Sequence, residues 1–382
     1  MILLKKLFLI PFFIIFCFIV QVLYTGYSNE KIFNNFVENQ NPDYKILNPI
    51  FNKGFLHSQA SFIIEDKRNL GLSFKFHFVF NNNYFSNYVV QGTLSNPFKF
   101  LDEGLKNQQL AQFSIKPEQN DFNLSIQFQD INLSNEGGDT LLKNASIEIL
   151  MDRDLKAKNI LLNIDKIELA QFYTKFSMQN FIYKQNFDYP ILLSSLMHLK
   201  EGLEEISFNS FALNNNKIDS FYNKNTFHFN DKNKLKIHFQ GKAHNITLDT
   251  NSKLYQNIDF DKIEFDIIWD EITKNSYNKF DIDSLMKEGL NLKIIDLIVY
   301  KNKQNIDING SAFVSEKNNK ALIQIFSTEE PDKIFSWGKF FGGLNQYFTK
   351  NEDKFIMNFN YDSNATPQLK INGNQFSHID LN

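Results

Sequence analysis

The sequence predicts a mainly β protein, in which an N-terminal transmembrane helix is followed by an extended antiparallel β-sheet with a few packed helices. Three observations predict this fold: an uncharged apolar segment near the N-terminus, long stretches of alternating apolar and polar residues, and short Asn- and Gly-containing breaks between them. The chain has 382 residues, of which 43% are hydrophobic and 42 are phenylalanine. This composition is typical of a folded protein with a sizeable core and not of a disordered chain.

The apolar segment at the N-terminus is long enough for a membrane helix. Two lysines precede residues 7–24, an 18-residue stretch without a charge, which would span about 27 Å as a helix, close to the hydrocarbon thickness of a bilayer. A cleaved signal peptide is the alternative, but Tyr24 and Tyr27 replace the small residues of a cleavage site and suit the membrane interface. We therefore expect residues 1–28 to form a cytoplasmic N-terminus and an uncleaved signal anchor, with the rest of the chain exported.

Past residue 28 the hydrophobicity of the sequence alternates with a period of two. Between Leu70 and Phe80 the even positions are apolar, and most odd positions carry small or polar residues. A strand with one apolar and one polar face is typical of an antiparallel sheet, because a parallel sheet is buried on both faces and needs helical crossovers. The same alternation returns near residues 122–128, 235–239 and 355–361.

Three segments place apolar residues at helical spacing. They are Glu30 to Gln40, which continues the predicted anchor, Tyr189 to Glu205, and Ser327 to Lys350. The last segment opens with acidic residues and a proline, a combination typical of a helix N-terminus. We expect the two later helices to pack on the sheet, and the mainly β region of residues 29–382 to divide into two sub-sheets near residues 185–205.

The sequence lacks the motifs of common catalytic and metal sites. With 40 basic and 43 acidic residues the net charge is −3, which argues against a nucleic-acid partner because such proteins need a basic face. A single cysteine, Cys17, permits neither an intramolecular disulfide nor a thiolate metal site. The histidines do not pair at the spacing of a helical zinc site, and nucleophile-elbow, phosphate-binding and dinucleotide-binding motifs are missing. We therefore predict a protein that is not an enzyme and that has no cofactor, metal or catalytic residue.

Three asparagines lie in an acidic-x-Asn-x-Ser/Thr pattern, and these are Asn123, Asn132 and Asn364. The pattern fits the extended acceptor motif of bacterial N-glycosylation, which adds an acidic residue two positions before the asparagine. An Asn-rich β protein with alternating polar positions produces the same strings without modification. The three asparagines are therefore candidate glycosylation sites whose use depends on the host.

Several short segments resemble the YdgA family of exported bacterial proteins of unknown function. The segments are Tyr24-Thr25-Gly26, Asn52 to Ser58, Gly92 to Phe98, Ser284 to Gly289 with the following strand Leu292 to Val299, and Leu369 to Gly373. They follow the family's order over nearly the whole chain, while residues 141–283 match only by their β-pattern. The resemblance implies a mostly β periplasmic protein anchored in the inner membrane, and it supplies no catalytic residues. Its plan is also similar to that of the AsmA-like superfamily, which is associated with envelope lipid homeostasis.

These observations lead us to expect a non-enzymatic envelope protein, either a lipid-handling or an envelope-assembly scaffold. The main alternative is a receptor or adaptor that binds another envelope protein through a sheet edge, and a hydrolase built from carboxylates distant in sequence is a third. Phe74, Phe76 and Phe78 share one apolar strand face, so they are candidates to line an apolar groove for phospholipid. If helices cover that face, the same residues are ordinary core.

Overall fold

A computed structural model describes residues 2–38, 44–66, 73–83, 89–95, 109–135, 138–171, 173–192, 201–230, 234–249, 258–273, 287, 289–334, 343–366 and 368–375. Within these ranges the protein is mainly β, as the sequence predicts, and the strand pairs run antiparallel. The helical elements are α1 (Ile2–Glu38), α2 (Pro331–Ile334) and a 3-10 turn (Leu344–Tyr347).

The strands of the described residues, in chain order, are β1 (Tyr44–Asn52), β2 (His57–Asp66), β3 (Ser73–Asn81), β4 (Val90–Ser95), β5 (Gln109–Glu118), β6 (Asp121–Phe128), β7 (Ile131–Asn135), β8 (Gly138–Met151), β9 (Lys156–Gln171), β10 (Thr174–Leu192), β11 (Gly202–Phe208), β12 (Ser210–Leu213), β13 (Asn216–Phe229), β14 (Lys234–Leu248), β15 (Ile258–Thr273), β16 (Leu290–Lys301), β17 (Gln304–Val314), β18 (Lys320–Ser327), β19 (Thr349–Asn351), β20 (Lys354–Asp362), β21 (Leu369–Ile371) and β22 (Asn374–Gln375). Most connections join strands that are neighbours in sequence, which is the pattern of a β-meander.

The chain divides into two compact units. Unit 1 comprises residues 1–133 and 142–157, and unit 2 comprises residues 134–141 and 158–382. The division lies upstream of the boundary expected near residues 185–205. That stretch contains the paired ends of β10 and β11, whose register runs from Ile182↔Ser207 to Phe187↔Gly202. Continuous strand pairing therefore holds the expected boundary region inside unit 2.

Unit 1 is a meander in which β1 to β6 pair in sequence order and β8 follows β6. Helix α1 contacts β1, β2 and β3. It turns one face toward the sheet, because Val22, Gly26, Asn29 and Phe33 are buried and recur every three or four residues. The predicted helix from Glu30 is therefore confirmed as the C-terminal part of α1, up to Glu38.

A buried polar contact, here called the Asn82 clasp, ties α1 to the turn between β1 and β2. The Asn82 side chain is fully buried, and its Nδ2 donates to the carbonyls of Gly54 (2.9 Å) and Phe55 (3.0 Å). Its Oδ1 accepts a hydrogen bond of 3.0 Å from Asn29 Nδ2 on the helix. A Cβ added at Gly26 would lie 3.1 Å from Asn82 Nδ2. The glycine thus lets the helix approach the clasp closely. The clasp joins residues 24–26 and residues 52–58, two of the segments that resemble the YdgA family.

Unit 2 continues as a meander of longer strands. The 19-residue β10 pairs with both β11 and β12, and β13 pairs with the other side of both. From β13 each strand pairs with the next through β18, and β20 then pairs with β18. Gly241 lies between Asn223 and Phe265 in this sheet, and the Phe265 ring occupies the space that a side chain at Gly241 would fill.

Of the two later helices predicted from the sequence, the first is wrong in its described residues, whereas the second is helical in half of them and begins at the predicted Pro331. From Tyr189 to Leu192 the chain belongs to β10, and from Gly202 it belongs to β11, while residues 193–200 lie outside the described residues. Between Ser327 and Lys350 only α2 and the 3-10 turn are helical, each with four residues, and residues 335–342 lie outside the described residues. Apolar residues four apart share one face of a helix and also one face of a strand, and non-local pairing decided for the strand at Tyr189 and Gly202.

The predicted anchor can be compared with only part of α1. The side chains of residues 2–17 lie outside the described residues. Among the residues that are described, no helix combines the length and the apolar character needed to cross a membrane.

Candidate functional site

The face predicted to line a groove packs beneath α1 in unit 1. Phe76 and Phe78 stack on the Phe62 ring at centroid distances of 5.3 and 5.2 Å, and Phe62 also lies 6.1 Å from Phe33 of the helix. Both rings are half-buried neighbours of the buried cluster that contains Phe33 and Phe62. Phe74 is half-buried on the same strand face. The structure therefore brings these phenylalanines together as core under a helix, because α1 covers the strands they occupy.

The three candidate glycosylation sites lie in different environments. Asn123 lies inside β6 between Lys116 of β5 and Leu150 of β8, and its Oδ1 is buried. Asn132 is exposed in β7. Asn364 is exposed in the turn after β20, where its backbone N–H donates to the Asp362 carboxylate at 2.9 Å. Accessibility therefore favours Asn132 and Asn364 over Asn123, and modification of all three stays a prediction.

The main candidate site is a group of polar side chains on an otherwise apolar face of unit 2. This polar cluster consists of Tyr183, Gln185, Glu204, Asn223 and Asn225. Strand register brings them together, because Gln185, Glu204 and Asn225 lie opposite one another on β10, β11 and β13. Positions directly opposite one another project to the same face of an antiparallel sheet. A set of residues spread over 43 positions in the sequence thereby becomes one patch.

Glu204 lies at the centre of the polar cluster. One of its carboxylate oxygens accepts a hydrogen bond of 2.7 Å from Asn225 Nδ2, and the other lies 3.1 Å from the Tyr183 hydroxyl. Both partners are neutral, so the hydrogen bonds leave a negative charge on a half-buried surface. A charge in such a place costs free energy unless a cation or a set of donors meets it.

The hydrogen-bond donors of the polar cluster do not reach all of its acceptors. The Tyr183 hydroxyl has one proton but lies within hydrogen-bond distance of both Glu204 and Gln185 Oε1, at 2.8 Å from the latter. Asn223 donates to Asn225 at 2.8 Å, yet its own Oδ1 is buried and has no partner among the described residues. A buried acceptor without a hydrogen-bond partner lowers the free energy of unfolding by about 1–3 kcal/mol. The arrangement therefore favours a molecule that brings hydrogen-bond donors.

An aromatic row lies beside the polar cluster, formed by Phe176, Phe208, Phe211, Phe221 and Phe265. Phe208 and Phe221 stack at 5.0 Å, and Phe221 stacks with Phe265 at 6.5 Å across the strand that carries Gly241. The rings are half-buried. This face of unit 2 thus presents an apolar strip next to a polar patch in which Asn223 Oδ1 has no partner among the described residues.

The opposite face of unit 2 carries a group of carboxyl groups on β15, β16 and β17. Burial, a hydrogen bond with Asp307 and the negative charges of Asp307, Asp266 and Glu264 together raise the pKa of Asp296 to about 6, and burial is the largest of these causes. His238 Nε2 lies 2.6 Å from Asp266 Oδ1. Among the described residues, no group of three or more His, Cys, Asp or Glu side chains could hold a metal ion.

Sequence reasoning missed the polar cluster, although a signal for it was present. In β13 the apolar positions Phe221, Phe227 and Phe229 alternate in one phase, and Asn223 and Asn225 occupy the same phase between them. Two amides on the buried side of a strand break the pattern and mark a special site. The other residues of the polar cluster are brought to Asn223 and Asn225 by strand register. Strand register cannot be derived from the sequence pattern alone.

Comparison of the chain with protein-family models, curated proteins and solved structures gave no match. The resemblance to the YdgA family therefore remains a prediction.

Proposed function

We propose that this protein is a membrane-anchored, non-enzymatic lipid-handling scaffold that holds an amphipathic molecule on the apolar face of unit 2. One observation carries the proposal: the polar cluster, in which the buried Asn223 Oδ1 has no hydrogen-bond partner among the described residues, lies beside an aromatic row. Polar groups buried without full satisfaction are rarely kept for stability.

The two parts of the site match the two parts of an amphipathic lipid. A head group with hydroxyl or ammonium donors would donate hydrogen bonds to the Glu204 carboxylate and to Asn223 Oδ1. The aromatic row would contact an acyl chain, and each buried methylene contributes about 0.8 kcal/mol. Phosphatidylethanolamine combines both features and is the ligand that we propose.

The proposed location follows from the N-terminal apolar segment. Residues 1–28 would anchor the chain in the bacterial inner membrane, with the two units in the periplasm. A protein held beside a bilayer has phospholipid as its most abundant amphipathic neighbour, so the anchor raises the effective concentration of the proposed ligand.

The test is native mass spectrometry of the full-length protein, purified in mild detergent, with Glu204→Gln and Glu205→Gln compared. Glu205 is the matched control because it is the next residue of β11 and accepts the Tyr222 hydroxyl at 2.8 Å on the opposite face. Removal of the Glu204 charge should weaken lipid retention about tenfold, since a hydrogen bond to a charged group contributes about 1.5–3 kcal/mol. Glu205→Gln should retain lipid like the wild type.

Two results would count against the proposal. A folded wild-type protein that retains no phospholipid and binds no apolar probe would contradict lipid handling. Equal lipid retention by the wild type and both variants would contradict the assignment to the polar cluster. A protein partner that co-purifies without lipid would favour the adaptor function instead.

A further inference from the structure

Large apolar side chains are exposed where α1 meets the turn between β1 and β2. On the helix they are Leu23, Tyr24 and Tyr27, with 51%, 70% and 60% of their surface exposed, and on the turn they are Phe55 and Leu56, with 49% and 43% exposed. We call these five residues the collar. Soluble surfaces rarely expose several such side chains side by side, so the collar requires a partner.

The Asn82 clasp fixes the turn of the collar to the helix. Asn82 Nδ2 binds the carbonyls of Gly54 and Phe55, and its backbone N–H donates to the Leu56 carbonyl at 2.9 Å. Gln21 Nε2 of the helix donates to the Asn82 carbonyl at 3.3 Å. With three consecutive carbonyls of the turn held in place, Phe55 and Leu56 remain exposed beside the helix and cannot fold inward.

Charged groups follow the collar on the side away from the apolar segment. Lys53 Nζ lies 5.1 Å from the centre of the Tyr27 ring and 3.4 Å from Glu30 Oε2. Along α1 the sequence therefore passes from the uncharged residues 7–24, through two tyrosines, to an ion pair. A bilayer has the same order of environments: an apolar hydrocarbon core, an interface that favours aromatic side chains, and charged head groups.

We propose that the collar inserts into the interface of a phospholipid bilayer and makes the turn between β1 and β2 a second membrane contact beside α1. A helix alone leaves the attached unit free to tilt, whereas a second contact point orients unit 1 against the membrane surface. The proposal rests on the membrane attachment in the proposed function, but it is independent of lipid binding by unit 2.

The experiment measures the membrane depth of the turn in full-length protein reconstituted into vesicles of phosphatidylethanolamine and phosphatidylglycerol. In a Cys17→Ser background, a fluorescent label is attached to Phe55→Cys or to Gln129→Cys. Gln129 is the matched control, because it is exposed and lies just past the end of β6, at the sheet end away from the collar. Quenching by lipids with a spin label near the head group should be about threefold stronger at position 55, because interfacial side chains insert only ~5–10 Å.

Loosening the clasp provides a second readout. Asn82→Ala removes the side chain that holds the turn, so the label at position 55 should lose most of its excess quenching while circular dichroism still shows a folded sheet. Excess quenching that survives in folded Asn82→Ala would overturn the role of the clasp in holding the collar.

The outcomes separate this inference from the proposed function. Equal quenching at positions 55 and 129 in vesicle-bound protein would overturn the collar and leave membrane anchoring intact. A chain that does not float with the vesicles would overturn both. Labels at position 55 that instead quench each other between protein copies would assign the collar to self-association.

Discussion

Unit 1 and unit 2 each have an antiparallel sheet with one apolar face, but the two faces are used differently. In unit 1, α1 packs on that face, and the side chains beneath it are phenylalanine, valine, isoleucine and alanine. Unit 1 also buries the polar side chains of Asn29, Ser58 and Asn82 against α1. In unit 2, Glu204, Asn223 and Asn225 lie beside the aromatic row. The comparison shows that the buried polar groups of unit 1 tie a helix to a turn, whereas those of unit 2 lie next to half-buried rings.

The apolar faces of both units contain a strand glycine that is covered by a phenylalanine ring. Gly92 in unit 1 and Gly241 in unit 2 lie in strand interiors, and a Cβ at either would lie 2.4 or 2.5 Å from the ring of Phe113 or Phe265. In unit 1 the Phe113 ring packs edge-on to Phe78 at 5.2 Å. In unit 2 the Phe265 ring joins the aromatic row. Covering a strand glycine with an aromatic ring stabilises the sheet in either setting, so the device does not by itself determine function.

The largest expected difference between the units is the response to truncation of an aromatic side chain. Phe62→Ala in unit 1 should lower the free energy of unfolding by about 3–5 kcal/mol, because its buried ring is surrounded by four others. Phe208→Ala in the half-buried aromatic row should cost less than half as much. Hydrogen exchange read by mass spectrometry measures both, since it reports each unit separately. Equal losses would show that the aromatic row is also ordinary core.

A smaller effect is expected from filling the glycine beside the polar cluster. Gly241→Ala should destabilise unit 2 by about 1–3 kcal/mol, because the new Cβ would meet both the Phe265 ring and the Tyr222 carbonyl at 2.5 Å. Displacement of the ring should also reduce lipid retention. The control is Thr226→Ala on the exposed phase of β13, which should change stability by no more than about 0.5 kcal/mol. Unchanged stability and retention in Gly241→Ala would argue against close packing at the site.

The smallest expected effect concerns the carboxyl pair on the other face of unit 2. The pKa of Asp296 is raised from 3.8 to about 6 in the folded protein, so the folded state binds more protons than the unfolded chain between these pH values. Its contribution to stability is therefore present below the lower value and is lost as the pH rises through about 6. Asp296→Asn should stabilise unit 2 at pH 7 by about 1 kcal/mol, a figure reduced for solvent screening of the half-exposed pair.

Urea denaturation at a series of pH values measures that effect. The stabilisation by Asp296→Asn should shrink as the pH falls and should disappear near pH 4. Asp307→Asn should lower the pKa of Asp296, because it removes the neighbouring carboxyl group, and should therefore reduce the stabilisation that Asp296→Asn gives. A stabilisation that does not change with pH would show that packing, and not the charge, is responsible.

The sequence by itself determined the mainly β fold class, the antiparallel arrangement and the C-terminal part of α1 from Glu30. It could do so because these features depend on local periodicity, which is two in strands such as β3 and three to four between Phe33, Phe36 and Val37. Three features were decided only by the tertiary structure: the strands at Tyr189 and Gly202, the packing of half-buried Phe76 on Phe62, and the polar cluster. Each depends on which distant segment lies alongside, and register is set by the non-local packing of whole strands. A pattern of side chains shows which face of a strand is apolar, but only the neighbouring elements decide whether that face is covered.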